Sequence, residues 1–572
     1  MNLNLKSKTQ NSYDAIVVGS GISGGWAAKE LTEKGLRVLL LERGPDVKHI
    51  EGYETALKAP WEFPHRGRLT NEVKENYPVQ ARKYALTEAT TGLMTQDIRY
   101  PYLEAKPFQW TRAFVVGGRS LVWGRQSYRW SDLDFEANLK DGHGVDWPIR
   151  YKDLAPWYDY VERFIGVSGS AEGLPQLPDG VFQAPMELSC VEQHVRSAIE
   201  QKWKVSRKLM IGRSANLTAP TPEQLQLGRA SCQFRNLCSR GCPYGAYFST
   251  QSATLPAAMA TGRLTLRPNS LVHEVIFDEN RGRATGVKVI DQESKEEIIF
   301  HARVIFLNAS TMATNFLLLN STSPRFPEGL GNNETASLGK FIMDHHQSAG
   351  AKGTFRDFNN KYFFGRRANG IYVARYRNYL EKGDGYFRGF GYQGGGSRGG
   401  WQRGTSTKGF GAGFKDKLSA PGDWSMNLNG YGECLPYEEN RVYLDRTRKD
   451  PWGLPMLVAD AEYRENEKAM RKDMMSDAAE MLEAAGATDI STFDDIKYIG
   501  FCTHEMGGVR MGRDPKTSIL NQWNQFHQVP NLFATDGSAM TSSSCSNPSL
   551  TYMALTARAA DYAVTAMKKN EF

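Results

Sequence analysis

Residues 13–44 read YDAIVVGSGISGGWAAKELTEKGLRVLLLERG. Apolar residues 15–18 lead into a glycine turn, an amphipathic stretch follows, and a second apolar run at 38–41 ends on Glu42. This order of strand, GxGxxG turn, helix, strand and acidic residue is typical of a dinucleotide-binding βαβ unit. The stretch therefore predicts an α/β fold with a Rossmann-like nucleotide-binding domain.

The three motif glycines have different physical roles in such a unit. Gly19 permits the tight turn, Gly21 lets the backbone approach a pyrophosphate, and Gly24 lets the helix lie close to the strand. The helix N-terminus offers free N–H groups to phosphate oxygens, and Glu42 is placed to accept hydrogen bonds from ribose hydroxyls. The predicted cofactor contacts in this unit are Gly19, Ser20, Gly21, Ser23, Gly24, Glu42 and Arg43.

The composition is that of a globular protein without a strong charge bias. The 572 residues are 40% hydrophobic and 23% charged, with a formal net charge of +7. Basic residues are scattered rather than grouped in a stripe, so we expect no nucleic-acid partner. No apolar run reaches the roughly 20 residues that span a bilayer, and residues 1–15 contain no apolar segment or cleavage site, so neither a membrane span nor a secretion signal is expected.

A second motif lies near the C-terminus. Residues 530–564 predict a short strand, the acidic residue Asp536 with Gly537, a Ser/Thr-rich loop and a helix that opens near Asn547. A flavin protein often returns its C-terminal segment to the first βαβ unit, where it places an acid and a helix N-terminus beside the cofactor. We therefore expect a discontinuous nucleotide-binding domain.

Four motifs in this order carry a family resemblance. They are the βαβ unit, VVGGRSLVWGRQ at 115–126, HEMGGVRMG at 504–512, and DGSAM with NPSLTYMAL at 536–555. Together they resemble the glucose–methanol–choline (GMC) family of FAD oxidoreductases over nearly the whole chain. The resemblance implies a Rossmann-like FAD-binding domain combined with an antiparallel-sheet substrate domain.

The domain organisation is predicted as three parts. Aromatic and glycine-rich residues 361–414 and strand-like runs at 440–463 predict an antiparallel sheet over the flavin, followed by a helix at about 465–485. The predicted FAD-binding domain comprises 12–60, 100–170, 245–345 and 496–572, the cysteine loop is 225–245, and the substrate domain is 346–495 with 61–99 and 171–224.

Oxidation of an alcohol by a flavin needs a base for the hydroxyl proton. By resemblance that base is His504, and the second catalytic position of the family falls on Asn547. An asparagine does not titrate, so we expect Asn547 to hydrogen-bond and orient the substrate hydroxyl. The alternative for Asn547 is a helix N-cap ahead of Pro548.

The resemblance also implies further FAD contacts. Some sugar oxidases of the family attach FAD covalently through a histidine whose place here is taken by Val122, followed by Trp123. Non-covalent FAD is therefore expected. The remaining predicted cofactor contacts are Val116, Gly117, Gly118, Ser120, Ala309, Asp536 and Gly537.

Three of the seven cysteines lie in one loop, RASCQFRNLCSRGCPYGAYFST at 229–250. Cys232, Cys238 and Cys242, the last followed by proline, are typical of an iron–sulfur ligand run. No fourth cysteine is near, which favours a three-iron cluster. Zinc, or a disulfide with one free thiol, are the alternatives, and a buried structural role is expected for Cys190, Cys434, Cys502 and Cys545.

The cluster interpretation gains support from a branch of the family. FAD glucose dehydrogenase and glucoside 3-dehydrogenase, which the chain resembles, carry a 3Fe–4S cluster on such a loop. The resemblance implies a dehydrogenase that acts on a sugar or glucoside, at C3 in the first place and at C1 or C2 as the near alternatives. An O₂-using oxidase without a redox cluster and a flavin-binding subunit without turnover are the other hypotheses.

Partners and location are implied by the same branch. Its members often work with a small subunit that bears an export signal, and sometimes with a cytochrome c. We therefore expect a periplasmic enzyme exported together with a partner, with a cytoplasmic enzyme as the alternative. Glu433, in the aromatic-rich region, is a weak candidate for a sugar contact.

Overall fold

The computed structural model describes residues 11–332, 334–361, 367–400, 403–404 and 407–572. The strands are β1 (Ser12–Val18), β2 (Val38–Leu41), β3 (Leu103–Glu104), β4 (Val167–Ser168), β5 (Phe182–Gln183), β6 (Leu209–Ile211), β7 (Leu264–Arg267), β8 (Ser270–Asp278), β9 (Arg283–Asp291), β10 (Glu297–Leu307), β11 (Ala349–Phe355), β12 (Ile371–Val373), β13 (Phe390–Arg398), β14 (Trp424–Gly432), β15 (Arg441–Lys449), β16 (Pro455–Asp460), β17 (Thr488–Asp494) and β18 (Leu532–Ala534). The helices are α1 (Ile22–Glu33), α2 (Asn71–Asn76), α3 (Asp132–Phe135), α4 (Ala137–Asp141), α5 (Tyr151–Ile165), α6 (Cys190–Trp203), α7 (Pro222–Gln226), α8 (Leu255–Ala260), α9 (Thr311–Asn320), α10 (Gly411–Ser419), α11 (Glu465–Ala484) and α12 (Ser549–Lys568).

A seven-stranded sheet forms the nucleotide-binding domain. Its order is β7-β2-β1-β10-β9-β8, and β18 pairs with β10. The pairs β2–β1, β1–β10 and β10–β18 are parallel, so the C-terminal segment returns to the first βαβ unit as the sequence predicts. Residues 15–18 of β1 are apolar and buried, and α1 and α12 pack together next to this part of the sheet.

A six-stranded antiparallel sheet forms the second layer of the molecule. Its order is β17-β11-β14-β13-β12-β6, and α11 packs against its central strands. The fold class predicted from the sequence is confirmed. The predicted continuation at 440–463 is wrong, because β15 and β16 pair with each other and with β3 in a separate sheet. Parts of the predicted 361–414 stretch lie outside the described residues, namely 362–366, 401, 402, 405 and 406.

Two loops that approach each other prepare the site. Met343 and Met506 exchange both backbone hydrogen bonds, at 2.9 Å each, so the segment 341–346 runs antiparallel to 504–508. This pairing places the side chains of Asp344 and His345 beside the predicted catalytic turn. Among the helices described, none combines the length and the apolar character needed to cross a bilayer.

Candidate active site

One cavity connects the glycine turn of the nucleotide-binding domain with the turn that holds His504. Its walls come from the first βαβ unit, the turn 118–126, the start of α9 and the segment 536–552. The predicted catalytic and cofactor residues that line it are Gly19, Ser20, Gly21, Ser23, Glu42, Arg43, Gly118, Ser120, Ala309, His504, Asp536, Gly537 and Asn547.

The glycine turn has the close approaches that its motif predicts. Gly19 has a φ of 93°, and a Cβ on Gly24 would lie 1.7 Å from the carbonyl oxygen of Gly19. A Cβ on Gly21 would meet no atom within 4 Å, because this residue borders the cavity. The space in front of Gly21 is the room that a pyrophosphate needs to reach the backbone.

Three residues that the sequence predicts as cofactor contacts do not line the cavity themselves. Gly24 packs closely against the backbone of Gly19, and Gly117 donates its N–H to Ser20 Oγ at 2.9 Å. Val116 is buried in the core formed with the first two strands. These residues shape the wall, whereas Gly118 and Ser120 border the cavity.

Glu42 is held by the turn itself. Its Oε2 accepts hydrogen bonds from Ser20 N at 3.0 Å and Ser20 Oγ at 2.5 Å, and its Oε1 accepts one from Gly44 N at 2.9 Å. Burial raises the pKa of this carboxyl, and the hydrogen bonds oppose that rise. Oε1 keeps one free lone pair, and Glu42 lines the cavity, where a ribose hydroxyl would donate to it.

Asp536 links the C-terminal segment to the start of α9. Its Oδ2 accepts hydrogen bonds from Ser310 N at 2.9 Å and Thr314 Oγ1 at 2.6 Å, and Ser538 donates to Oδ1. Burial raises the pKa of Asp536 as well. The carboxylate therefore fixes the loop that forms one side of the cavity.

Several buried polar atoms along the cavity have no hydrogen-bond partner among the residues that the structure describes. They include Nε of Arg43, Oγ1 of Thr111, Nδ2 of Asn308 and Oη of Tyr552. An unsatisfied buried polar group costs about 1–3 kcal/mol. FAD carries hydrogen-bond donors and acceptors on its phosphates, its ribityl chain and its ring. Such groups would pair with the unsatisfied atoms, so the residues present fit FAD. Val122 offers no nucleophile, and non-covalent binding stays the prediction.

His504 lies at the other part of the cavity. Its Nδ1 is 3.0 Å from Nδ1 of His345, and its Nε2 is 3.3 Å from Nδ2 of Asn547. Oδ1 of Asn547 accepts a hydrogen bond from Gln393 Nε2 at 2.7 Å. The antiparallel sheet, through β13, thus orients the amide that faces the imidazole.

Asn547 does not cap α12. The helix begins at Ser549 after Pro548, and no side chain hydrogen-bonds to its first turn as a cap. The N-cap interpretation is therefore wrong. The amide of Asn547 is instead bonded to Gln393 and His504.

Asp344 holds the main chain around the imidazoles. Its Oδ1 accepts hydrogen bonds from the backbone N of His345 at 2.9 Å and of His504 at 3.0 Å, and its Oδ2 accepts one from Cys502 N at 2.9 Å. Burial raises the pKa of Asp344 to about 7, with a further rise from Glu505. One buried carboxyl therefore positions both histidine backbones.

The electrostatics of the pocket keep both imidazoles neutral. Burial lowers the pKa of His504 well below its usual value, and the neighbouring His345, Lys83 and Arg119 lower it further. Burial also lowers the pKa of His345 to about 4 and that of Lys83 to about 8. A neutral imidazole at pH 7 is what a general base needs.

His345, Cys502 and His504 form a set of three metal-ligating side chains, the one set of this kind within the described ranges. Their ligand atoms lie within 4.8 Å of one another. The two histidine nitrogens of the set already hydrogen-bond to each other. The geometry is therefore explained without an ion.

The cysteine loop borders the cavity. Residues 238–240 contact the turn 118–121, and Ser239 lines the cavity. All seven cysteines are unbridged, so a disulfide is not supported. Cys232, Cys238 and Cys242 are half-buried, and the first interacts electrostatically with the other two.

The spacing of these three thiols bears on the zinc alternative. Their Sγ atoms are not all within 4.8 Å of one another, whereas tetrahedral zinc brings its sulfur ligands to about 3.8 Å apart. Ligands of an iron–sulfur cluster bind different iron atoms and span more space. As they stand, the three Sγ atoms are not all close enough together to bind one tetrahedral zinc ion.

Two buried arginines beside this loop have no carboxylate partner among the residues described. Arg229 donates only to the carbonyls of Phe164, Ile165 and Gly245 at 2.8–3.3 Å, and it interacts electrostatically with Cys242. Arg125 donates to the carbonyls of Trp123 and Ala368 and interacts with Cys232. A buried cation without an anion is costly. A negatively charged group bound beside the loop would balance this positive charge.

Other sequence expectations are corrected by the structure. Glu433 is fully buried, pairs with Arg375 at 2.6 Å and Arg388 at 3.4 Å, and does not line the cavity. Cys190 is half-buried rather than buried, whereas Cys434, Cys502 and Cys545 are buried.

Four residues of the site were not predicted from the sequence, namely Asp344, His345, Gln393 and Lys83. Two adjacent histidines after an aspartate, in a chain with ten histidines, were the available signal.

The cavity, its glycine turn and its neutral imidazole define a flavin-dependent oxidoreductase site. The family model described as GMC oxidoreductase matches in two parts, an N-terminal one over residues 13–347 and a C-terminal one over residues 436–556. The chain belongs to the GMC oxidoreductase family, whose cofactor is FAD.

Relatives of known name match over nearly the whole chain. The 2-methyl-1,2-propanediol dehydrogenase of Mycolicibacterium austroafricanum is 28% identical and covers 96% of this chain and 94% of its own. The fructose dehydrogenase large subunit of Gluconobacter japonicus is 25% identical (98% and 99%). The gluconate 2-dehydrogenase flavoprotein of Pantoea cypripedii is 26% identical (95% and 92%). A formate oxidase structure from Aspergillus oryzae shares the fold, with a TM-score of 0.60, 14% identity, and coverage of 98% and 99%.

Proposed function

We propose that this protein is an FAD-dependent dehydrogenase that oxidises a secondary hydroxyl of a sugar or glucoside, at C3, to give a 3-keto-glycoside. His504 is the base, and the electrons leave through a 3Fe–4S cluster on Cys232, Cys238 and Cys242. The observation that carries the proposal is the pair of His504 and Asn547 in a cavity continuous with the FAD-type glycine turn.

The chain's own groups account for the proton. The substrate hydroxyl donates to Nε2 of His504 and accepts from Nδ2 of Asn547. Neutral His504 takes the hydroxyl proton, and the cations of Lys83 and Arg119 favour the negative charge that develops on the substrate oxygen. Bound FAD supplies the acceptor for the carbon-bound hydrogen and its two electrons. The products are a ketone, an imidazolium and a reduced cofactor.

The exit of electrons rests on the cysteine loop. Its thiols are half-buried and unbridged, and Cys238 belongs to the segment 238–240 that contacts the turn 118–121. Arg125 and Arg229 supply positive charge next to Cys232 and Cys242. A bound cluster supplies a one-electron acceptor close to the flavin. This arrangement favours a dehydrogenase over an O₂-using oxidase.

Substrate class and position rest on weaker support. The names of three relatives describe dehydrogenases of hydroxyl compounds, two of them of a sugar or a sugar acid. The C3 position rests on the resemblance to the glucoside 3-dehydrogenase branch. Oxidation at C1 or C2 of a free sugar is the competing activity.

One preparation tests these points. Protein purified anaerobically would be mixed with methyl glucoside, glucose and gluconate, and FAD bleaching and the NMR spectrum of the product would be recorded, together with iron and sulfide per flavin and low-temperature EPR. We expect bleaching with the glucoside, a 3-keto product and about three irons per FAD. Iron-free flavoprotein that consumes O₂ would instead establish the oxidase alternative.

A partner and a location complete the proposal. Two relatives bear subunit names, a large subunit and a flavoprotein, which supports a small export subunit and a cytochrome c acceptor for this chain, and periplasmic residence by co-export. Co-expression with the neighbouring genes followed by cell fractionation tests it. Activity confined to the cytoplasm in a monomeric protein would contradict it.

A further inference from the structure

We propose that His345 is a positioning residue that fixes His504 in the one neutral tautomer whose Nε2 lone pair faces the substrate. The inference rests on the proposed role of His504 as the base. It assigns a function to a fully buried histidine that neither touches the substrate position nor belongs to the motif around His504.

The hydrogen positions follow from a chain of contacts that begins at a backbone carbonyl. Nε2 of His345 lies 2.9 Å from the carbonyl oxygen of Ser543, which only accepts. Nε2 of His345 therefore carries the proton. Since a neutral imidazole has one donor and one acceptor nitrogen, Nδ1 of His345 accepts, and the 3.0 Å contact requires Nδ1 of His504 to donate. The lone pair of His504 is then on Nε2.

The other end of the network leads to the same assignment. Gln393 donates to Oδ1 of Asn547, so the NH₂ group of Asn547 faces Nε2 of His504. An NH₂ group only donates, and Nε2 of His504 must accept. Two anchors on different segments, the Ser543 carbonyl and Gln393 on β13, therefore specify one tautomer.

Burial makes this arrangement persistent. The low pKa of His345, caused by burial, keeps it neutral, so it accepts the hydrogen bond from His504 without taking the proton. When His504 gains the substrate proton on Nε2, its Nδ1–H still donates to His345. The contact therefore holds the ring in place both before and after proton transfer.

The test compares two substitutions at position 345. His345→Leu removes the acceptor, and His345→Asn places an amide oxygen near the former Nδ1. A general base held in the wrong tautomer loses up to ~10⁴-fold in rate. Leucine leaves both tautomers of His504 accessible, so we expect roughly a 100-fold lower rate of flavin reduction in His345→Leu. The rate in His345→Asn should be at least about ten times that in His345→Leu.

His194→Leu is the matched control. His194 also hydrogen-bonds a backbone carbonyl through Nε2, that of Ala485 at 2.8 Å, but within the described residues its ring otherwise packs only against the rings of Phe355 and Phe358. We expect an unchanged rate of flavin reduction for this variant. Full FAD content and an unchanged flavin spectrum would be required of every variant.

A spectroscopic readout separates positioning from a structural role. With ¹⁵N-histidine labelling, Nε2 of His504 is expected to show an unprotonated nitrogen shift in the wild type and in His345→Asn, and an averaged shift in His345→Leu. A wild-type rate in His345→Leu, or equal losses in the Leu and Asn variants, would overturn the inference. Were His504→Ala itself to retain its rate, the base assignment would fail instead.

Discussion

The buried charges of the nucleotide-binding site and those beside the cysteine loop differ in the partners that balance them. In the turn, Glu42 and Asp536 are bonded to hydroxyls and backbone N–H groups of the chain itself. Around the loop, Arg125 and Arg229 bond only to carbonyl oxygens and have no carboxylate within the described structure to balance them. The two carboxylates of the nucleotide-binding site therefore have partners within the chain, whereas the arginines beside the loop lack a negative charge to balance them.

This difference indicates how FAD and the proposed cluster would each bind. A preorganised turn binds a cofactor with little rearrangement, so loss of one wall contact weakens binding without preventing folding. A loop beside unbalanced arginines is stabilised when a negatively charged group, such as the proposed cluster, binds next to it. The predictions below separate the two regions.

The largest effect is expected for His504→Ala. Removal of a general base lowers the rate by about 10²–10⁴-fold, and we expect roughly a 10³-fold slower FAD reduction in anaerobic stopped-flow mixing. FAD and iron contents should remain at the wild-type values, because neither region depends on this side chain. Loss of FAD together with the rate would mean that His504 acts in cofactor binding.

Cys238→Ser should separate electron exit from substrate oxidation. Without its thiolate the loop is expected to lose its iron and about 100-fold of the turnover with a one-electron acceptor, measured with ferricenium. FAD reduction by substrate in a single turnover should change less than about twofold. Cys190→Ser, on α6, is the control. Full iron in Cys238→Ser would exclude this residue as a ligand.

The turn can be tested with two glycines. Gly24→Ala places its Cβ 1.7 Å from the Gly19 carbonyl oxygen, so we expect a loss of about 3 kcal/mol of unfolding free energy. Gly21→Ala meets no protein atom and should leave the stability of the FAD-free protein unchanged while weakening FAD about tenfold, or 1.4 kcal/mol. Equal FAD affinity in Gly21→Ala and wild type would place the pyrophosphate elsewhere.

The fold was largely predictable because its signals are local. The alternation of apolar runs and glycines specifies β1, α1 and β2, and the predicted second strand at 38–41 coincides with β2. The placement of β15 and β16 was not predictable, since strand patterns do not say which edge a hairpin joins. In the same way, His504 was found from its motif, but its partner His345 lies 159 residues away in the chain. Gln393, which holds the amide of Asn547, lies 154 residues from that asparagine.

Arg229→Met would measure the charge balance of the loop. A buried cation next to an anionic cluster favours its reduced form, so we expect about a tenfold lower reduction equilibrium constant, which is 59 mV for one electron. EPR-monitored titration of the holoenzyme measures it. Arg471→Met is the control, because Arg471 is equally buried and donates to carbonyls but pairs with Asp494 far along the chain from the loop. Equal potentials in wild type and Arg229→Met would remove the arginine from the loop's electrostatics.

The smallest expected effect is the pH dependence of FAD reduction. The base must be unprotonated, and a lowered pKa moves its loss of activity to more acid pH. The pKa of His504 is well below that of a free histidine and the pKa of His345 is about 4, so neither imidazole gains a proton between about pH 7.5 and 6.5. Asp344, whose pKa is about 7, still accepts from the backbone N–H groups of both histidines through Oδ1 when a proton is on Oδ2, so the rate should change less than about twofold in this window. In Lys83→Met the cation that helps to lower the pKa of His504 is absent. The pH at which the rate of FAD reduction falls should therefore rise toward the ordinary pKa of histidine. A wild-type rate that halves at about pH 6.5 would show that the pocket does not shield His504, and the neutral pair of imidazoles would have to be abandoned.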